Sequence, residues 1–179
     1  MKPIIITGGP GAGKTTLIEA FAQTGMATFP EVSRSLIEQE RAKPQGILPW
    51  HDLSGFAQLC LVAMREQKRC AENEPLAFLD RAIPDICGYL HEAGIAPNAE
   101  LQAESQGYFP LVFVCRPHAA IYVQDEVRPY PFAQALAIHE QLLTTYTQLG
   151  YHCVDVPFGP VAARVEFVLR TLEREHAAR

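Results

Sequence analysis

The run Gly8-Gly9-Pro10-Gly11-Ala12-Gly13-Lys14-Thr15 limits the folds open to this chain more than any other stretch. It fits G-x-x-x-x-G-K-[ST] at every fixed position. A β-branched run, PIIIT at residues 3–7, precedes it, and Leu17, Ile18 and Phe21 follow at helical spacing. Strand, glycine-rich loop and helix in that order form an anion cradle. Glycines let successive backbone N–H groups turn toward one anion without Cβ clashes. The helix that Lys14, Thr15 and Thr16 open adds its positive N-terminal end. A lysine here reaches the β- and γ-phosphates of a nucleotide, and the Thr15 hydroxyl is placed to ligate Mg²⁺.

The rest of the chain alternates in the same way. Apolar strand-like runs occupy residues 3–7, 27–30, 76–80, 111–115 and 151–156. Helical spacing covers residues 14–24, 33–42, 52–74, 84–92, 98–106, 118–126, 132–149 and 161–175. Asp52 is expected to cap the long third helix. Buried strands separated by helices predict an α/β fold, a mostly parallel sheet with helices on both faces. With 179 residues the expectation is one domain, 1–179. The polar, proline-bearing loops 43–49 and 124–131 are the expected moving parts.

Charge and cysteine usage narrow the partners. The chain has 15 Lys+Arg against 20 Asp+Glu, a net charge of −5, so it lacks the basic surplus a nucleic-acid binder needs. Its five cysteines are odd in number and contain no CxxC pair, which argues against a disulfide framework or zinc site and for reduced thiols in the cytoplasm. No apolar run reaches the roughly 18 residues that span a bilayer. The N-terminus has no signal-peptide pattern. Among nucleotide hydrolases, a GTPase would carry an Asn-Lys-x-Asp guanine reader, and none occurs. Leu53-Ser54-Gly55-Phe56 lacks the second glycine of the ABC signature, and an AAA+ motor with a helical lid domain would not fit this length.

Asp80 closes the LAFLD run, at the carboxyl edge where ligands of open α/β sheets bind. It suits either the Mg²⁺ side of the phosphate site or the cap of the next helix. Arg81 suits phosphate contact or a surface ion pair. Glu31, after the second strand, suits a general base or a helix start, and Arg34 one turn later suits an acidic acceptor group.

Across GGPGAGKTTLIEAF, FPEVSRSLIE, LPWHDLSGFA, FLDRAIPD, IYVQDEVRPYPFAQALAIHE and VPFGPVAARVEFVL, the chain resembles a small AAA-type P-loop ATPase/kinase family. That group is related to the ribosylnicotinamide kinase domain of an NAD-metabolism regulator and, more distantly, to thymidylate and deoxynucleoside kinases. The resemblance implies a three-layer P-loop NTPase domain with strand order 2-3-1-4-5, and ATP and Mg²⁺ as cofactors. It implies catalytic roles for Lys14, Asp80, Arg81 and Glu31, and a lid arginine at Arg128, with Arg116 a second candidate. It sets the turn 156–161 beside the adenine, where Phe158 would either stack or be a buried loop aromatic, and Arg164, facing out, would cover the base. Trp50 is either acceptor pocket or core. The implied activity is ATP-dependent phosphoryl transfer to a small, nucleoside-like metabolite. An ATP-hydrolysing regulator and an ATP-binding module without an acceptor stay open. The expected partners are ATP and a small-molecule acceptor, without nucleic acid or membrane, and a homodimer is left open.

Overall fold

The computed structural model describes residues 1–126 and 130–177. Its centre is β1 (Ile4–Thr7), whose Ile4, Ile5 and Ile6 are fully buried. β1 lies between β3 (Ala77–Asp80) and β4 (Leu111–Val114), with Ile5 opposite both Leu79 and Val112. β2 (Ala27–Phe29) and β5 (His152–Asp155) form the edges. The five strands run parallel in the order β2-β3-β1-β4-β5. Covered on both faces, the three inner strands are continuous apolar runs, whereas the edge strands are only partly buried.

Alternation along the strands sends side chains into two helical layers. Ile4 and Ile6 join Phe78 and Phe113 against α1 (Lys14–Gln23) and α7 (Val161–Ala177). There the Phe21 and Phe78 rings stack with centroids 4.0 Å apart. Truncating Phe21 to alanine would cost about 3–5 kcal/mol. Ile5, Leu79, Val112 and Val114 face the other way, with Tyr146 of α6 (Phe132–Gln148). On that side α2 (Val32–Arg41), α3 (Leu53–Ala71) and α4 (Ile83–Glu92) share a further apolar cluster around Ile37, Phe56, Leu61, Met64 and Ile86. α5 (Ala99–Glu104) packs beside α4. No helix among the described residues is long and apolar enough to cross a membrane.

The elements follow the sequence reading with small shifts at their ends. β2 stops at Phe29, before Pro30, which has no N–H to give a ladder. Asp52 caps α3 by accepting from the Gly55 N–H at 2.8 Å. One expected helix is missing. Residues 118–126 form only a turn, closed by Ile121 and Tyr122 N–H groups on the His118 carbonyl, both at 3.1 Å. The His118 N–H instead donates to the Gly11 carbonyl at 3.1 Å, and the Tyr122 ring lies against Gly11. This segment is shaped by the glycine loop it crosses, which overrides its helical spacing.

Candidate functional site

The chain leaves β1 in one direction for β2 and β3 and reaches β4 and β5 in the other, so a crevice opens at the carboxyl end of β1. The glycine loop occupies it. Gly8 approaches β4 so closely that a Cβ would lie 1.9 Å from the Cys115 carbonyl oxygen. Gly13 stands at the head of α1 with φ 69°, and no side chain caps that helix. Its first N–H groups are thus left for an anion. Thr15 and Thr16 are exposed there, while Lys14 is buried. Burial pushes the Lys14 ammonium below the usual lysine range and Arg81 adds to this, while Asp80 and Glu31 oppose it.

Two long-range contacts hold the loop from behind. His139 of α6 accepts the Gly9 N–H through Nδ1 at 3.2 Å. Nδ1 must therefore be unprotonated, and burial keeps the ring's pKa below its ordinary value. From α7, Arg164 reaches in rather than facing out over the base as expected. It donates to the carbonyls of Gly13 at 3.3 Å and Ala12 at 3.5 Å, and to Cys115 Sγ at 3.0 Å. A loop that turns its N–H groups to an anion leaves carbonyls on its far side, and the guanidinium fork satisfies them.

Asp80 is 3% exposed, and its Oδ1 accepts no hydrogen bond from any described residue. Burial raises its pKa from 3.8 to about 6, against the pull of Lys14. Asp80 does not cap α4; Asp85 does, accepting from the Ala82 N–H at 2.9 Å. Asp85 also accepts from the Thr7 hydroxyl, from Tyr146 at 2.5 Å and from Arg81 at 3.3 Å. Arg81 is buried, not a surface charge. It is the one non-glycine residue of positive φ, 68°, among those described, a strain of about 1–3 kcal/mol. Asp85, the ring of Tyr89 5.3 Å away and Glu31 3.4 Å away hold it there.

Glu31 stands at the N-cap position of α2 but makes no cap bond; its carboxylate accepts from the Ser33 hydroxyl. With Arg81 and Pro10 it lines a cavity of about 290 Å³ between α2, α3, α4 and the glycine loop. Trp50 lines its rim and is exposed, so it is not core. Arg34 lines the cavity too and pairs with Asp125 at 3.3 Å. Asp80 and Lys14 lie near each other and are not part of this cavity's lining.

Arg116 lies away from it, on Asp155 at 3.2 Å and Glu140 at 3.8 Å. Phe158 is exposed, edge-on to the His118 ring at 5.0 Å. Arg128 lies outside the described residues.

Asp85, His139 and the inward-facing Arg164 make contacts beyond those expected from the sequence. Arg81 and Asp85 stand one helical turn apart, which signals a pair. Arg164 precedes the buried Val168 and Leu172 at steps of four, which puts it on α7's inner stripe. His139 sits between the buried Ile138 and Leu142, where the pattern reads only as core.

Comparison with known proteins adds the following. The profile of an AAA domain family matches residues 3–164. No curated protein matches the chain. Among solved structures, the deoxyadenosine kinase of M. mycoides with dCMP and a flexible dCDP bound is 17% identical, with a TM-score of 0.67 over 96% of this chain and 99% of that one. The NadR protein in complex with NR is 15% identical, with a TM-score of 0.70 over 97% of this chain and 51% of that one. NadR with NAD and AMP-PNP is 17% identical, with a TM-score of 0.64 over 96% of this chain and 49% of that one. The chain thus spans about half the length of NadR. These likenesses concern the fold.

Proposed function

The chain belongs to the AAA domain family, and from that premise we propose that it is an ATP·Mg²⁺-dependent kinase acting on a hydroxyl of a small metabolite. The observation that carries this reading is the cavity of about 290 Å³ beside the glycine loop, with Glu31 and Arg81 in its wall. A hydrolytic switch needs no such chamber; a kinase needs one to hold its acceptor. The kinases among its structural neighbours lend support.

The loop amides and Lys14 hold the phosphates of ATP. Asp80 and Thr15 fit Mg²⁺, since a desolvated, unpartnered carboxylate oxygen and an exposed hydroxyl are hard oxygen donors. The ion, when bound, neutralises charge on the phosphate oxygens. Glu31 faces the acceptor, and its carboxylate takes the proton of the attacking hydroxyl. The acceptor oxygen bonds to the γ-phosphorus, the bond to the ADP oxygen breaks, and ADP leaves. Arg81, fixed by Asp85 and Tyr89, presents a preorganised positive charge at the boundary of acceptor and phosphate.

The test is a metabolite panel with ATP·Mg²⁺, reading ADP and phosphorylated product by mass spectrometry. One acceptor should yield both in equal amounts, and Glu31→Gln should slow that reaction by about 10²–10⁴-fold with ATP affinity kept. ADP formed with every acceptor left unmodified would mark a hydrolase instead.

A further inference from the structure

We propose that the acceptor is a hydroxyl compound whose distal part is an apolar ring or chain rather than a hydrogen-bonding nucleobase; this rests on the kinase reading above. Polar and apolar surfaces are divided within the cavity. Most of the charge stands on the walls built by the starts of α2 and α4, with Glu31, Arg34, Arg81 and Asp85 beside Ser33, and Glu92 adds one carboxylate at the end of α4. Much of that charge is already matched within the protein: Arg81 by Asp85 and Glu31, and Asp85 by four donors.

The α3 wall is different. Leu53, Phe56, Ala57, Cys60 and Met64 line it, and Ile37, Ile86 and Leu90 continue it on α2 and α4. These are carbon and sulfur surfaces. Burial pushes the Cys60 thiol up to about 12, so it stays a neutral, weak donor.

The polar residues of α3 are turned elsewhere. Gln67 donates to the Pro30 carbonyl at 2.8 Å. Arg65 pairs with Glu100 and Glu104, and Lys68 donates to the carbonyls of Glu104 and Gln106. Ser54 and Gln58 are exposed and are not part of the lining. The remaining polar lining stands outside α3: Trp50 and Gln134 are exposed, and Tyr89, Glu92 and Tyr130 are half-buried.

A nucleobase presents several donors and acceptors along one edge. Against the α3 wall they would lose water and gain no partner, at about tenfold or more in affinity for each buried unmatched group. An apolar ring or chain gains from the same wall by leaving water. The volume, near the small end of about 300–1,000 Å³ for ligand sites, suits one such group and a short hydroxylated arm.

The experiment holds the sugar constant and changes the base. Calorimetric titration of the full chain, loaded with AMP-PNP·Mg²⁺, compares β-ribofuranosylbenzene with uridine and adenosine. The phenyl riboside should bind at least about tenfold tighter than either nucleoside. Met64→Gln, which puts an amide into the α3 wall, should shrink that preference by about tenfold. Leu53→Gln, at a half-buried position, makes the same test should Met64→Gln fail to fold. Equal or tighter binding of the nucleosides overturns the inference, and so does absence of binding by all three. Phosphorylation is read separately with ATP·Mg²⁺. Tight phenyl riboside binding without phosphoryl transfer would uphold the apolar wall and refute the kinase reading. Transfer to nucleosides alone would do the reverse.

Discussion

Replacing Asp80 with asparagine should make the nucleotide-free protein more stable at pH 7 while removing its activity. The carboxyl's pKa is raised from 3.8 to about 6, first by burial and then by Glu31, with Lys14 opposing. The folded state therefore holds this proton more tightly than the unfolded chain does. The stability it confers is fully present below about pH 4 and is lost as pH rises through about 6. At pH 7 the ionised, buried carboxylate costs up to about 3 kcal/mol. Asparagine keeps the shape and never ionises. It also leaves Lys14 without an opposing charge, so the net gain expected is about 1–3 kcal/mol. For a chain of this length that is about 2–4 °C of Tm for each kcal/mol.

The assay is urea unfolding of wild type and Asp80→Asn between pH 4 and 8. The difference in stability should be largest above pH 6 and close toward zero near pH 4. Every other titratable group is carried by both proteins, so it cancels from the difference. Turnover should fall by at least about 10²-fold. A variant less stable than wild type at pH 7, or a difference that ignores pH, would refute the reasoning.

Lys14→Ala should leave the fold intact while weakening ATP·Mg²⁺ binding or abolishing turnover, because the loop backbone survives and its charge does not; unchanged titration and turnover would count against the phosphate site. Arg164→Ala should destabilise the protein by about 2–4 kcal/mol, since two loop carbonyls lose a charged donor, and Arg164→Lys should recover part of this in denaturant unfolding. Amide exchange in residues 118–126 should slow when ATP and acceptor bind, because the ion pairs Arg34–Asp125 and Arg41–Glu126, which tie this segment to α2, are exposed and weak; protection unaltered by both ligands would argue against a closing element.

What could be read from the sequence was local. The strand periods, the glycine loop and the Asp52 cap each depend on residues within a few positions of one another, and the structure repeats them. Residues 118–126 failed because their conformation answers to Gly11, far away in sequence. Ile121 and Val123 give the segment no buried apolar face, since both are exposed. Glu31 was read as either base or helix start, and only the fold shows its carboxylate turned to Ser33, Arg81 and the cavity rather than to the helix end. Arg164 was misjudged by direction. Its position after the last turn is legible, but the carbonyls that draw it inward exist only once the loop has its shape.

Those two supports of the glycine loop also bear on the order in which the chain matures during synthesis. Arg164 lies 151 residues from Gly13, and His139 lies 130 residues from Gly9. The glycine loop leaves the ribosome well before the side chains that brace it. At about 5–20 residues per second, several seconds separate the two. Through that interval the nascent chain carries the whole motif without its bracing, so nucleotide cannot assist the early folding of the N-terminal half as it could if the loop were self-supporting. Contacts of such long sequence separation are slow to close. On the kinase reading, competence to bind ATP waits for the finished α7, and a chain truncated before residue 164 should display the motif without being able to use it.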